Sequence, residues 1–205
     1  MLIKTLPVGQ LETNCYVVTN PDTLECVVID PGDESNTILD YIESNRLTCK
    51  AIMLTHGHFD HVGACAVLAE ETGAPVYMNE KDDAKNMKSN VFPYTLPENG
   101  KYYGDGDTVE AAGITFEVTE TPGHTPGGVV ICADGAIFTG DTLFRGSRGR
   151  ADIVGGDADR LLESLGKICK MDDSLEIYPG HMESSTLVRE KAFNYYCRQA
   201  MQKYG

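Results

Sequence analysis

The chain has 205 residues, with 31 acidic side chains against 17 basic ones and a formal charge of −14. That length suits one compact domain spanning 1–205, and no run approaches the roughly eighteen apolar residues of a membrane-spanning helix. Such an acidic surface opposes nucleic acid and anionic lipid, which need basic patches, but it leaves room for a small-molecule substrate held beside bound cations.

In chain order, Met1 to Gln10 is interrupted by Lys4, Pro7 and Gly9 and lacks a secretory apolar core. Leu2 to Leu6, Asn14 to Thr19 and Cys26 to Ile29 read as the first strands. Asp33 or Ser35 is placed to cap a helix running to about Arg46, with Ile38, Leu39 and Ile42 on one face. Strand Ala51 to Leu54 follows, then a helix from Val62 to Thr72 that is apolar on almost every side and therefore expected to be deeply buried. Val76 to Met78 is a short strand, and Asn79 caps an expected polar helix Glu80 to Lys88. Residues 89–106 read as an irregular aromatic loop, with Tyr102 a candidate wall of a substrate pocket. Four strands then come quickly, Thr108 to Ala111, Ile114 to Glu120, Val129 to Cys132 and Ala136 to Phe138. Asp157 caps a helix Ala158 to Lys170, Leu175 to Tyr178 is the last strand, and Ser184 to Lys203 reads as one final helix. Strands alternating with helices in both halves give an α/β fold class.

Chemistry concentrates in Thr55-His56-Gly57-His58-Phe59-Asp60-His61, where four metal-capable side chains fall within six residues just after a strand. The other two of the chain's five histidines, His124 and His181, stand in Pro-Gly-His after later strands, and Asp141 stands in Thr-Gly-Asp after another. One such histidine alone is most often a core or loop residue. A whole set confined to strand ends, where α/β folds gather their chemistry, points to a metal centre. Imidazole and carboxylate donors without a thiolate suit zinc best, and also iron or manganese. The seven cysteines are scattered singly, as free thiols in a reducing compartment are, so a cytoplasmic protein is expected. Arg145, Arg148 and Arg150 form a basic cluster beyond Asp141. Arg145 and Arg148 are candidates to meet a substrate carboxylate or phosphate, and Arg150 to pair with Asp152.

The pattern His-x-His-x-Asp-His, Pro-Gly-His, Gly-Asp, Pro-Gly-His resembles the metallo-β-lactamase-fold hydrolases, especially the short relatives of glyoxalase II, the hydroxyacylglutathione hydrolases. Thr13-Asn14-Cys15-Tyr16 and Ile29-Asp30-Pro31-Gly32 extend the likeness. The resemblance implies a four-layer α/β/β/α sandwich. It implies two divalent metal ions, one on His56, His58 and His124 and the other on Asp60, His61 and His181, with Asp141 bridging and Asp30 orienting a ligand. It also implies hydrolysis, for which Asp60 and Asp141 are the catalytic carboxylates and the metals provide a bridging hydroxide. With every histidine committed to metal, none remains to protonate an amine, which favours thioesters such as S-lactoylglutathione, or lactones and other activated esters. The additional C-terminal helical segment of full-length glyoxalase II has no counterpart in these residues. Competing readings are a persulfide dioxygenase with one iron on His56, His124 and Asp141, a non-catalytic metal-binding domain, and a β-lactamase. The last is disfavoured because such enzymes often carry cysteine where Asp141 stands.

Overall fold

A computed structural model describes residues 1–205. The first half forms a six-stranded sheet in sequential order: β1 (Leu2–Val8), β2 (Thr13–Asn20), β3 (Glu25–Ile29), β4 (Thr48–Met53), β5 (Val76–Met78) and β6 (Lys101–Tyr102). The pairs β1/β2 and β2/β3 are antiparallel, and the rest are parallel. Parallel neighbours need a crossover. Helix α1 (Ser35–Ser44) supplies the one between β3 and β4, and α2 (Phe59–Val62) with α3 (Cys65–Thr72) the one between β4 and β5.

The second half repeats the plan. Strands β7 (Thr108–Ala111), β8 (Ile114–Glu120), β9 (Val129–Ala133) and β10 (Ala136–Gly140) form an antiparallel meander. A two-stranded ribbon, β11 (Leu143–Phe144) with β12 (Ser147–Arg148), follows. Helix α4 (Ala158–Cys169) then crosses to β13 (Glu176–Pro179), parallel to β10, and β14 (Ser185–Thr186) completes the sheet. Helices α5 (Leu187–Phe193) and α6 (Tyr195–Tyr204) end the chain.

The strand period of two explains why four layers form. In β2, Cys15 and Val17 face α1 and α3, whereas Tyr16 and Val18 face the second sheet; in β3, Cys26 and Val28 likewise oppose Val27 and Ile29. In the second sheet, Ile131 and Phe138 face the first sheet while Val130 and Ile137 face α4 to α6. Both sheets are apolar on both faces. Each must therefore be covered twice, and the stable solution is helix, sheet, sheet, helix.

Four expectations need correction. The helix expected from Val62 begins at Phe59 and is broken around Gly63 and Ala64, and it is not buried all round, since Ala66 and Val67 face solvent. Neither Asp33 nor Ser35 is the N-cap of α1. Glu34 takes that place in a left-handed conformation, its N–H donating to Asp33 Oδ1 at 2.7 Å. The polar helix Glu80 to Lys88 shrinks to one 3-10 turn, Glu80–Asp82, because Asp82 and Asp83 are buried as acceptors for other loops. The final helix is interrupted at Asn194, whose backbone turns extended (ψ 123°) while its side chain caps α6 by accepting from the Tyr196 N–H and donates to the carbonyls of Phe144 and Ser147.

Phe138 sits at the centre of the core between the sheets, wholly buried, its ring 5.2 Å from Tyr16 and 5.4 Å from Tyr178. Phe138→Ala is expected to destabilise the fold by about 3–5 kcal/mol. Denaturant titration of the two proteins measures this.

Candidate metal centre

Each ligand side chain lies just beyond the carboxyl end of a strand. His56 to His61 follow β4, His124 follows β8, Asp141 follows β10 and His181 follows β13. Because β4 lies in one sheet and the other three in its partner, the cleft between sheet edges draws all seven together.

The donors form two groups. His56, His58 and His124 make one, and Asp60, His61 and His181 the other; within each, one donor atom per residue lies within 4.8 Å of the others. His58 Nδ1 and His124 Nε2 face each other at 2.9 Å. Asp141 stands between the groups. Its Oδ2 is 3.4 Å from His124 Nε2 and 3.6 Å from His181 Nε2, and its Oδ1 is 3.4 Å from His61 Nε2. On the second side, His181 Nε2 is 3.3 Å from Asp60 Oδ2.

Hydrogen bonding tests whether these residues suit a metal ion. Four of the five histidines have their outward nitrogen Nδ1 engaged: His56 with Thr55 Oγ1 (3.1 Å), His61 with Asp30 Oδ2 (2.9 Å), His124 with the Arg150 carbonyl (2.8 Å) and His181 with the Leu11 carbonyl (3.1 Å). An acceptor on the outer nitrogen sets the tautomer that leaves the inner lone pair free, which is how metal-binding histidines are usually prepared. Three imidazole nitrogens, Nε2 of His56, His58 and His61, and Asp141 Oδ1 are buried without any hydrogen-bond partner. Buried polar atoms are seldom left so, and the Nε2 atoms of His56 and His61 together with Asp141 Oδ1 belong to the converging set. The donor set fits cations.

Electrostatics agree. Burial, reinforced by neighbouring imidazoles, pulls His58 down to about 3 and holds His56 well below the ordinary range; burial lowers His124 too. These three stay neutral, as ligands must be. Burial opposes a charged His61, but Asp141 and Asp30 outweigh it and raise its pKa; in His181, Asp60 and Asp141 do the same. Burial alone would raise Asp141, whose carboxyl His61, His124 and His181 instead keep low.

The residues that hold the ligands come from remote parts of the chain. Asp30, buried and with φ of 51°, accepts from the Thr55 N–H (2.7 Å), the Thr55 hydroxyl (2.6 Å) and His61. Through that last contact Asp30 fixes the direction of the His61 ring. Asp82 was missed by sequence reasoning. It accepts from the N–H groups of Gly57 (3.0 Å) and Gly127 (2.6 Å) and from the Thr125 hydroxyl (2.6 Å), and so ties the loop of His56 and His58 to that of His124. Nothing in Glu80-Lys81-Asp82-Asp83 distinguishes it from a solvated turn. Gly180 is needed for space: a Cβ there would lie 2.3 Å from Asp141 Oδ1 and 2.7 Å from His61 Cε1.

The expected substrate contacts fare less well. Tyr102 is on the edge strand β6 and donates to Asp83 Oδ2 at 2.9 Å, outside the cavity over the centre. Arg145 pairs with Glu183 and does not line that cavity either. Arg148 does line it, but its guanidinium lies 4.5 Å over the Tyr196 ring and donates to the Ala158 carbonyl. Arg150 pairs with Asp152 at 2.9 and 3.1 Å, the structural role expected of it. From the aromatic loop, Val91 reaches the cavity wall and Phe92 packs 4.7 Å from the His58 ring.

A helix-covered pair of sheets with metal donors gathered at one shared edge defines a class, and the family model that matches residues 8–188 places the chain in it: the protein belongs to the metallo-beta-lactamase superfamily. It is 34% identical over 206 residues to the hydroxyacylglutathione hydrolase GloC of Haemophilus influenzae, covering 95% of this chain and 97% of that one. The crystal structure of the BLEG-1 B3 metallo-beta-lactamase superposes with a TM-score of 0.87 at 32% identity, over 96% of this chain and 99% of that one. A di-iron-bound form of TTHA1623 superposes with a TM-score of 0.80 at 33% identity, over 94% and 99%.

Asp30→Asn keeps the shape of the side chain but cannot accept from all three of its donors. A roughly 10- to 100-fold loss of metal affinity is expected, measured by competition with a chelator.

Proposed function

We propose that the protein is a binuclear metallohydrolase acting on thioesters, with His56, His58 and His124 holding one divalent ion, Asp60, His61 and His181 the other, and Asp141 between them. The observation that supports this reading best is the presence of two ligand groups meeting at one carboxylate. When bound, such ions polarise a carbonyl oxygen and lower the pKa of water to about 7.

The chain's own residues do the rest. Asp60 and Asp141 supply the negative charge that balances the cations. The Thr13 hydroxyl, 3.3 Å from Asp60 Oδ2, and Asp30 on His61 keep the second group in place before substrate arrives. Such preorganisation is where most electrostatic catalysis comes from. In the net reaction the oxygen of water joins the acyl carbon, the carbon–sulfur bond breaks with its electron pair on sulfur, and a carboxylic acid and a thiol result. Sulfur can leave as thiolate, since a thiol has a pKa near 8.5. An amine would need a proton donor, and the cavity wall contains no lysine, no tyrosine and no histidine outside the ligand set.

Zinc is the proposed metal, with iron or manganese as the alternatives that the same donors accept. The similarity to GloC supports S-lactoylglutathione or a related acyl thiol, and lactones or other activated esters follow from the same leaving-group argument. A one-iron persulfide dioxygenase would use only His56, His124 and Asp141, and the second ligand group has no part in that reading. Likeness to BLEG-1 makes β-lactams a necessary member of any substrate panel. Seven cysteines, all free, suit a reducing cytoplasm, and no helix is long and apolar enough to cross a membrane.

Metal analysis of protein purified without added metal is expected to give two ions per chain, and a panel of thioesters, lactones, β-lactams and a persulfide to show thioester turnover. One iron per chain with oxygen uptake on the persulfide would overturn the proposal. His58→Ala and Asp141→Ala are each expected to lower kcat/KM roughly a thousandfold while circular dichroism shows the fold retained. Global unfolding by either change would assign the metal a structural role instead.

A further inference from the structure

The cavity above the ligand groups has a volume of about 950 Å³, far more than a water and a thioester carbonyl occupy. What lines it is unusual for so acidic a protein. Leu11, Val154 and Met182 from three separate loops and Phe59 from the start of α2, each at least half exposed, surround this one opening. Single exposed apolar side chains need no explanation, but several converging on one concavity mark a place where an apolar ligand is bound.

Met182 adds a second observation. It has φ of 70°, in the left-handed region that β-substituted residues avoid, directly after His181. The Asn14 side chain holds it there, donating to its carbonyl at 2.8 Å. Backbone held in this region by its surroundings is commonest at functional sites. Here it places an adaptable thioether chain at the rim of the cavity.

The charged residues of the wall argue against the alternative. Its only cations are Arg148 and Arg150, the first stacked on Tyr196 and the second paired with Asp152. Glu12 lies in the same wall without an ion-pair partner. A carrier with free carboxylates would meet repulsion and no unengaged basic partner.

We propose that this cavity takes the uncharged, apolar acyl arm of a thioester, an aliphatic or aromatic chain on a neutral thiol carrier, in preference to a thioester of a carboxylate-bearing peptide such as glutathione. The proposal rests on the thioester reading above and specifies its substrate class. Recognition is by desolvation of Leu11, Phe59, Val154 and Met182 against the chain, so affinity grows with chain length until the cavity is filled.

Two experiments test it on the metal-loaded protein. In the first, calorimetry compares the non-hydrolysable thioethers S-methyl- and S-hexyl-N-acetylcysteamine with S-hexylglutathione. The hexyl compound is expected to bind roughly two-hundredfold more tightly than the methyl one and more tightly than S-hexylglutathione. Val154→Ser and Leu11→Ser, both at exposed positions, are expected to shrink the hexyl-to-methyl ratio. Equal binding of methyl and hexyl, or tighter binding of S-hexylglutathione, would overturn the proposal. In the second, kcat/KM is measured for S-acyl-N-acetylcysteamines from acetyl to octanoyl beside S-lactoylglutathione, with an expected rise of about threefold per methylene. Turnover that is flat with chain length and best on the glutathione ester would leave the hydrolase standing and remove this inference. A steep binding series without turnover of any thioester would overturn the thioester reading, and the substrate class inferred here with it, leaving the cavity only as a site for apolar ligands.

Discussion

The centre of this protein is a set of polar atoms that the fold buries and then leaves without a protein partner. An unpaired buried donor or acceptor costs about 1–3 kcal/mol, and here the Nε2 atoms of three histidines and one oxygen of Asp141 share the condition. Two of those nitrogens and the oxygen face the place where cations would stand. Lone pairs converging from neutral imidazoles and from carboxylates are the arrangement that a cation would complete. The folded architecture around the site is what holds these groups together against that cost.

Three small devices do the holding, and each joins parts of the chain that are far apart. Asp30 ties the end of β3 to Thr55 and His61; Asp82 ties the first ligand loop to the loop of His124. The third is the start of β2. Thr13 donates to Asp60, Asn14 to the carbonyls of Pro179 and Met182, and the Tyr16 hydroxyl to that of Pro179 at 2.5 Å. One strand of the first sheet thus fixes the ligand loop that ends β13 in the second. The sheets cannot slide past each other without pulling Asp60 and His181 apart, so the core between them and the metal centre are mechanically one structure.

The surroundings of the centre divide its labour. The candidate metal donors concentrate the polar groups, and the rim that would meet the rest of a substrate is mainly apolar, with its arginines already engaged. Basic residues near a ligand looked like an anion site, yet their guanidinium groups are used to stack and to pair. A cation in a very acidic protein finds a carboxylate or an aromatic face before any substrate arrives: Arg150 meets Asp152 within its own loop, while Arg145 meets Glu183 and Arg148 meets Tyr196 from distant parts of the chain.

Much could be read from the residues alone, for identifiable reasons. Alternation of apolar side chains is a local signal, and β2, β3, β8, β9 and β10 lie close to where it places them. The seven candidate ligands were legible because the histidines occur nowhere else and each follows a strand. What failed was whatever depends on a distant partner. Asp82 and Asp83 read as solvated until the loops that donate to them are present, Asn194 reads as helical until its side chain is seen bonded to Phe144 and Ser147 and capping the next helix, and Tyr102 and Arg145 read as substrate contacts until Asp83 and Glu183 are seen beside them. Periodicity reports which way a side chain points along its own element. Only the tertiary fold decides which group, dozens of residues away, has been brought within hydrogen-bonding distance of it, because that is settled by how the two sheets pack and not by any local preference of the chain.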